Sequence, residues 1–99
     1  MRYIHVKWLH SHPDEPVELY SELDDRAWEV RKVEVFRDGR RGYASSTESI
    51  CSTELGLAPE PPVEEIARDP QFLPQEISRE EFERIWDSAR RADRVGQAS

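Results

Sequence analysis

Hydrophobic and polar positions alternate along the first half of the chain and switch to a helical period near its end. Over residues 2–10, Ile4, Val6 and Trp8 fall on one side and Tyr3, His5 and Lys7 on the other, the pattern of a half-buried strand. Residues 17–24 alternate again, with Val17, Leu19 and Leu23 against Glu18, Tyr20 and Glu22. Between these runs, Pro13 and Pro16 break continuous pairing and mark a loop. A third strand is read over 28–37, dense in β-branched and aromatic residues. A fourth is read over 40–46. Residues 45–62, rich in Ser, Thr, Gly and Pro, read as a long connection. Residues 62–68 suit two helical turns stopped by Asp69-Pro70. Phe82, Ile85, Trp86 and Ala89 then recur at i, i+3, i+4 and i+7, one apolar stripe of a helix over 79–93. Ser78-Arg79-Glu80-Glu81 is a capping box for it. Glu80, Glu81 and Glu83 at its start and Arg90, Arg91 and Arg94 at its end match the helix dipole.

Asp38-Gly39, between Arg37 and Arg40, suits a two-residue type I′ hairpin loop. That loop would pair Val33 with Ala44, Glu34 with Tyr43, Val35 with Gly42 and Phe36 with Arg41. Val33, Val35, Gly42 and Ala44 would then make a core-like face, and Glu34, Phe36, Arg41 and Tyr43 an amphipathic one. Upstream the phase conflicts, because Trp28 and Val30 alternate out of step with Val33 and Val35. Either a β-bulge near Arg31-Lys32 returns Trp28 and Val30 to the core face, or the sheet has a second, partly apolar face. The bulge is the preferred reading. The expected fold is α+β: a four-stranded antiparallel meander with a C-terminal helix packed across one face. The expected core is Ile4, Val6, Trp8, Leu19, Val33, Val35, Phe82, Ile85 and Trp86.

The length of 99 residues and mass of 11.6 kDa fit a single domain, placed at 1–93 with 94–99 as a disordered tail. Hydrophobic residues make up 36% and charged residues 35%, so the core must be small. Runs of hydrophobic residues never exceed two, which leaves no membrane span and no secretory h-region. Cys51 is the single cysteine, so no internal disulfide is available. A cytoplasmic domain is therefore expected.

Several stretches carry a family resemblance. They are Arg2-Tyr3-Ile4-His5-Val6-Lys7-Trp8-Leu9-His10, Leu19-Tyr20-Ser21-Glu22-Leu23-Asp24, Trp28-Glu29-Val30-Arg31-Lys32-Val33-Glu34, Phe36-Arg37-Asp38-Gly39, Gly42-Tyr43-Ala44, and the run from Pro62 to Trp86. On these the chain, over about residues 1–92, resembles a family of small bacterial proteins known only as a domain of unknown function. The resemblance implies a single domain and brings no catalytic residues with it. It also draws attention to the strand Trp28 to Glu34, which is unusually polar for the middle of a sheet.

Net charge is −7, which argues against a general nucleic-acid coat. The charge is uneven: residues 1–46 carry 8 basic and 9 acidic groups, and 47–99 carry 6 and 12. Within the first half, residues 26–43 are locally basic, with Trp28, Phe36 and Tyr43 interleaved. No Gly-x-Ser-x-Gly turn and no phosphate-cradling glycine loop occurs. The paired acids Asp24-Asp25, Glu64-Glu65 and Glu80-Glu81 diverge in direction, and two of the pairs suit helix starts. An acidic domain with no catalytic constellation reads first as a non-enzymatic protein-binding module. Its role would be immunity-like, antitoxin-like or accessory, with charge steering it to a basic protein target. No cofactor is expected. One alternative is an anionic-ligand or single-stranded nucleic-acid binder using Trp28, Arg31, Lys32, Arg37, Arg40, Arg41 and Tyr43 of the hairpin. Another is a metal-assisted hydrolase at His10 and His12 with Asp14 as a third ligand, since i and i+2 side chains of an extended segment share a side.

Overall fold

A computed structural model describes residues 1–94. The alternating runs form β1 (Arg2–Trp8), β2 (Glu18–Leu23), β3 (Glu29–Val35) and β4 (Arg41–Ala44), an antiparallel meander. Among the described residues two further strands widen it, β5 (Ser49–Ile50) beside β4 and β6 (Phe72–Glu76) beside β1. The sheet therefore has six strands, in the order β5-β4-β3-β2-β1-β6, and the expected four are its middle. Helix α1 (Val63–Ile66) precedes β6, and α2 (Arg79–Arg94) follows it. No helix among the described residues is long and apolar enough to cross a membrane.

Pro74 hides β6 in the sequence, yet it is compatible with this position. Leu9 N–H donates to the Gln71 carbonyl at 2.7 Å and Ile77 N–H to the Tyr3 carbonyl at 3.0 Å. Antiparallel alternation then directs the backbone N–H and C=O groups of Leu73 and Gln75 toward β1 and leaves the backbone groups of Phe72, Pro74 and Glu76 pointing away from it. A proline facing outward on an edge strand breaks no ladder bond. The outward Phe72 N–H is itself taken by the Asp69 carbonyl at 3.0 Å. This edge is therefore poor in donors for pairing with another chain.

The β3–β4 turn corrects the expected register. Phe36 N–H donates to the Arg40 carbonyl at 2.8 Å, Gly39 N–H donates to the Phe36 carbonyl at 2.9 Å, and Gly39 has φ +93°. The loop thus has three residues, with glycine in the left-handed position. Val33 pairs with Tyr43 and Glu34 with Gly42, a slip of one residue that exchanges the faces of β4. Tyr43, expected on the amphipathic face, turns into the core and is 3% exposed. Gly42 turns the other way, beneath Thr53. A Cβ there would collide with Thr53 Oγ1 and lie 2.8 Å from the Ile50 carbonyl oxygen.

The β2–β3 turn repeats this loop. Asp24 N–H donates to the Trp28 carbonyl at 3.0 Å, and Ala27 N–H to the Asp24 carbonyl at 2.9 Å. Asp24 Oδ1 reinforces it by accepting the N–H groups of Arg26 and Trp28. Here Ala27, at φ +65°, holds the place that Gly39 holds in the other loop.

Both resolutions of the phase conflict occur, in altered form. Glu22 pairs with Arg31 but Leu23 pairs with Glu29, so Val30 is the extra residue of a bulge one position before Arg31. The bulge does not return Trp28 to the core, since Trp28 is 38% exposed. The sheet also has two apolar faces. On one, Phe82, Trp86 and Ala89 of α2 pack on Tyr3, Val33 and Tyr43. On the other, Ile4, Val6 and Leu23 are buried, with Leu19, Val63, Ile66 and Phe72 around them. The single core expected from the sequence is thus split, and Ile4, Val6 and Leu19 lie across the sheet from Phe82 and Trp86. Trp8, expected in that core, is half-buried near His10 and Phe72. The Ser78 half of the expected capping box forms, with Glu81 N–H donating to Ser78 Oγ at 3.1 Å. The helix continues through Arg94, the first residue of the tail expected over 94–99, and residues 95–99 lie outside the described residues.

The two matched loops generate opposite expectations. Ala27→Gly relieves a left-handed alanine and should raise unfolding free energy by up to about 1 kcal/mol, whereas Gly39→Ala should lower it by about 1 kcal/mol. Urea denaturation of the two variants checks both signs.

Candidate functional site

The two faces of the sheet are covered unequally. Helix α2 has 16 residues, whereas α1 has four and makes a single turn. Pro62 caps α1 in an extended conformation, and its carbonyl accepts the Glu65 and Ile66 N–H groups. The proline-rich segment before it is pinned to the β2–β3 turn by Glu60 N–H donating to the Ala27 carbonyl at 2.7 Å. Between this segment, α1 and the sheet lies an open cleft of about 360 Å³. Ile4, Val6, Leu19, Ile66 and Phe72 supply its apolar lining. Ser21, Glu29, Lys32, Glu60, Glu65 and Asp69 supply its polar lining.

Glu29 organises the polar end. Its side chain is buried, accepting Ser21 Oγ–H at 2.6 Å and Gly56 N–H at 2.6 Å, with Lys32 Nζ 3.5 Å away. Gly56 is suited to this approach, because a Cβ there would stand 3.0 Å from Glu29 Oε1. Glu60 is half-buried beside it. Burial pushes the Glu60 carboxyl above the ordinary carboxylate range, repulsion from Glu29 adds to this, and Lys32 partly opposes it. Around the cleft, four carboxyl side chains stand against one lysine. The arrangement can hold an apolar group against the floor and a cationic group at the rim.

The residues expected to form a basic hairpin surface do not share one surface. Arg31 lies on the α2 face, where Nε and Nη2 donate to Glu22 at 2.6 and 2.9 Å, and Nη1 and Nη2 donate to Glu83 at 3.0 and 2.9 Å. Its guanidinium lies 4.9 Å from the Phe82 ring centroid and 5.0 Å from that of Trp86. Lys32 lies on the opposite face, in the cleft. Arg40 donates to Asp38 Oδ2 at 2.9 Å and lies over the Phe36 ring. Arg37 Nη2 donates to the His10 carbonyl at 2.7 Å. Arg41 is half-buried opposite Val35. Tyr43 is buried, its hydroxyl donating to Asp93 Oδ2 at 3.1 Å. Trp28 stands at the far end of the hairpin from Arg37 and Arg40.

At the histidine loop, His10 Nε2 lies 2.7 Å from the Pro16 carbonyl oxygen, and Nδ1 accepts the His12 N–H at 2.9 Å. This pattern requires the Nε2–H tautomer, with Nε2–H donating to the Pro16 carbonyl, and both ring nitrogens are engaged by the backbone. The His12 ring stacks 5.2 Å from that of His10, and Asp14 is exposed on the loop that follows. Among the described residues no three His, Cys, Asp or Glu side chains gather in a metal-binding group.

The cleft was not foreseen from the sequence, because its lining is drawn from segments between Ile4 and Phe72. The available signal was the polarity of β3. Glu29 and Lys32 in the middle of a sheet require buried partners or a site.

This architecture defines a small α+β domain with one sheet face packed against the long helix α2 and the other covered only in part. Residues 2–91 match the model of the Domain of unknown function (DUF6881), and the chain belongs to that family. No curated protein and no solved structure matches it.

The Arg31 cluster yields a pH expectation. Hydrogen bonding to Arg31 holds the Glu22 and Glu83 carboxyls below the ordinary carboxylate range. Their contribution is therefore present above the unfolded value of about 4.3 and is lost as pH falls through the lower folded values. Arg31→Met should cost about 2–4 kcal/mol at neutral pH, below the full cost of breaking a buried pair because Glu83 is partly solvated. It should also flatten the acid limb of the stability profile. Urea unfolding from pH 7 down to about pH 3 reads both effects.

Proposed function

We propose that the domain is a non-enzymatic module that binds another protein in the cytoplasm, with the cleft side of its sheet as the docking face. The observation that carries this reading is the open cleft, in which Leu19, Ile66 and Phe72 stay only half-buried beside the buried Ile4 and Val6. An apolar depression rimmed by polar groups is the usual form of an interaction site. The net charge of −7 supports a basic partner, since opposite charge speeds encounter and excludes acidic competitors. An immunity-like or antitoxin-like role, in which a small acidic domain occupies a basic protein stoichiometrically, fits this combination.

The hairpin reading has less support. Arg31, Arg40 and Tyr43 are held by Glu22, Glu83, Asp38 and Asp93, and Lys32 faces away from Arg31. A ligand using all seven residues would need two faces of the sheet at once.

Site-specific photo-crosslinking tests the docking face. A benzophenone side chain in place of Glu65, on the cleft rim, should give one discrete protein adduct in producing cells. The same group in place of Asp87, on exposed α2, should not. Identical adducts from both positions, or none from position 65, would contradict the proposal.

A further inference from the structure

We infer that the cleft recognises a partner segment carrying an apolar side chain next to a lysine or arginine. The inference rests on the docking face proposed above and specifies its occupant.

Size and chemistry point the same way. A volume of about 360 Å³ lies at the small end of ligand sites and suits one or two side chains inserted from a larger molecule. Leu19, Ile66 and Phe72 offer an apolar seat. The acids around it are not equivalent. Glu29 is already satisfied by Ser21, Gly56 and Lys32. Asp69 accepts the Gln71 N–H at 2.9 Å. Among the described residues, no side-chain hydrogen bond or ion pair holds the carboxylates of Glu60 and Glu65. Glu60 is the more telling, since it is half-buried next to Glu29, where a carboxylate is disfavoured. A cationic group at the rim would relieve that repulsion and gain a charge-assisted hydrogen bond. A neutral donor would gain a hydrogen bond from Glu60 without relieving its repulsion by Glu29, and an anionic group would meet net negative charge. The segment also docks by its side chains, because the β6 edge beside the cleft lacks a Pro74 donor and has its Phe72 N–H occupied.

Peptide titrations of the full isotope-labelled chain test this. Three probes are used: acetyl-Leu-Lys-Leu-Lys-Leu-amide and its Lys→Gln and Lys→Glu counterparts, each followed by amide chemical shifts up to about 5 mM. The basic peptide should shift the amides of Leu19, Ser21, Glu60 and Ile66 and bind about tenfold more tightly than the glutamine peptide. The glutamate peptide should not bind. Glu60→Gln should lower affinity for the basic peptide about tenfold. Its melting midpoint should be unchanged or slightly raised, since it removes a half-buried charge repelled by Glu29. Equal binding of the three peptides, shifts mapping to another surface, or no shifts with the basic peptide would each overturn the inference. A cleft-specific adduct at position 65 together with any of those results would leave the docking face standing and remove only the basic, apolar occupant.

Discussion

One extra residue in β3, Val30, sets the arrangement of both faces of this domain. In a regular strand Glu29 and Arg31 would point to the same side. The bulge sends them to opposite sides, and each organises what covers its face. Arg31 bridges β2 and α2 through Glu22 and Glu83 and lies against two aromatic rings of the helix. Glu29 holds the connection after β5 through Gly56 N–H and reaches Ser21 on β2. Removing such charges from water is costly, and an unpartnered one would be disfavoured strongly. Here four guanidinium hydrogen bonds and the ring contacts offset the cost for Arg31, and a hydroxyl, an amide and a lysine do so for Glu29.

The unequal cover follows from the lengths of the elements. Helix α2 carries a full apolar stripe and buries Phe82, Trp86 and Ala89. The reverse face receives a single turn, bounded by Pro62 before it and Asp69-Pro70 after it, which cannot span the same sheet. The depression left over is apolar at its floor because β1 and β2 alternate Ile4, Val6 and Leu19 onto that side. It is acidic at its rim because the segment that reaches it comes from the more acidic half of the chain. The proposed binding role therefore resides where the fold leaves its second core unfinished.

The legible parts of the fold were those carried by strong local patterns. The stripe and capping box defined α2 almost to the residue, and alternation located all four meander strands. The illegible parts were decided at a distance or by one residue. Pro74 concealed β6, whose outward-facing N position depends on its pairing with β1. The type I′ reading of Asp38-Gly39 missed the three-residue loop and so exchanged the faces of β4. At the level of sites, counting charges along residues 26–43 joined groups that strand alternation separates. Arg31 and Lys32 are adjacent in sequence and lie on opposite faces. The cleft joins Ile4, Glu29 and Glu60, and no local window contains all three.

The placement of Glu29 and Arg31 on opposite faces is open to direct measurement by nuclear Overhauser spectroscopy of the isotope-labelled protein. Arg31 δ protons should show cross-peaks to the ring protons of Phe82 and Trp86, and Glu29 γ protons should show cross-peaks to the Gly56 amide with none to either ring. Cross-peaks from both residues to the α2 rings would mean a regular strand without the Val30 bulge, and would contradict this account of the fold and of its cleft.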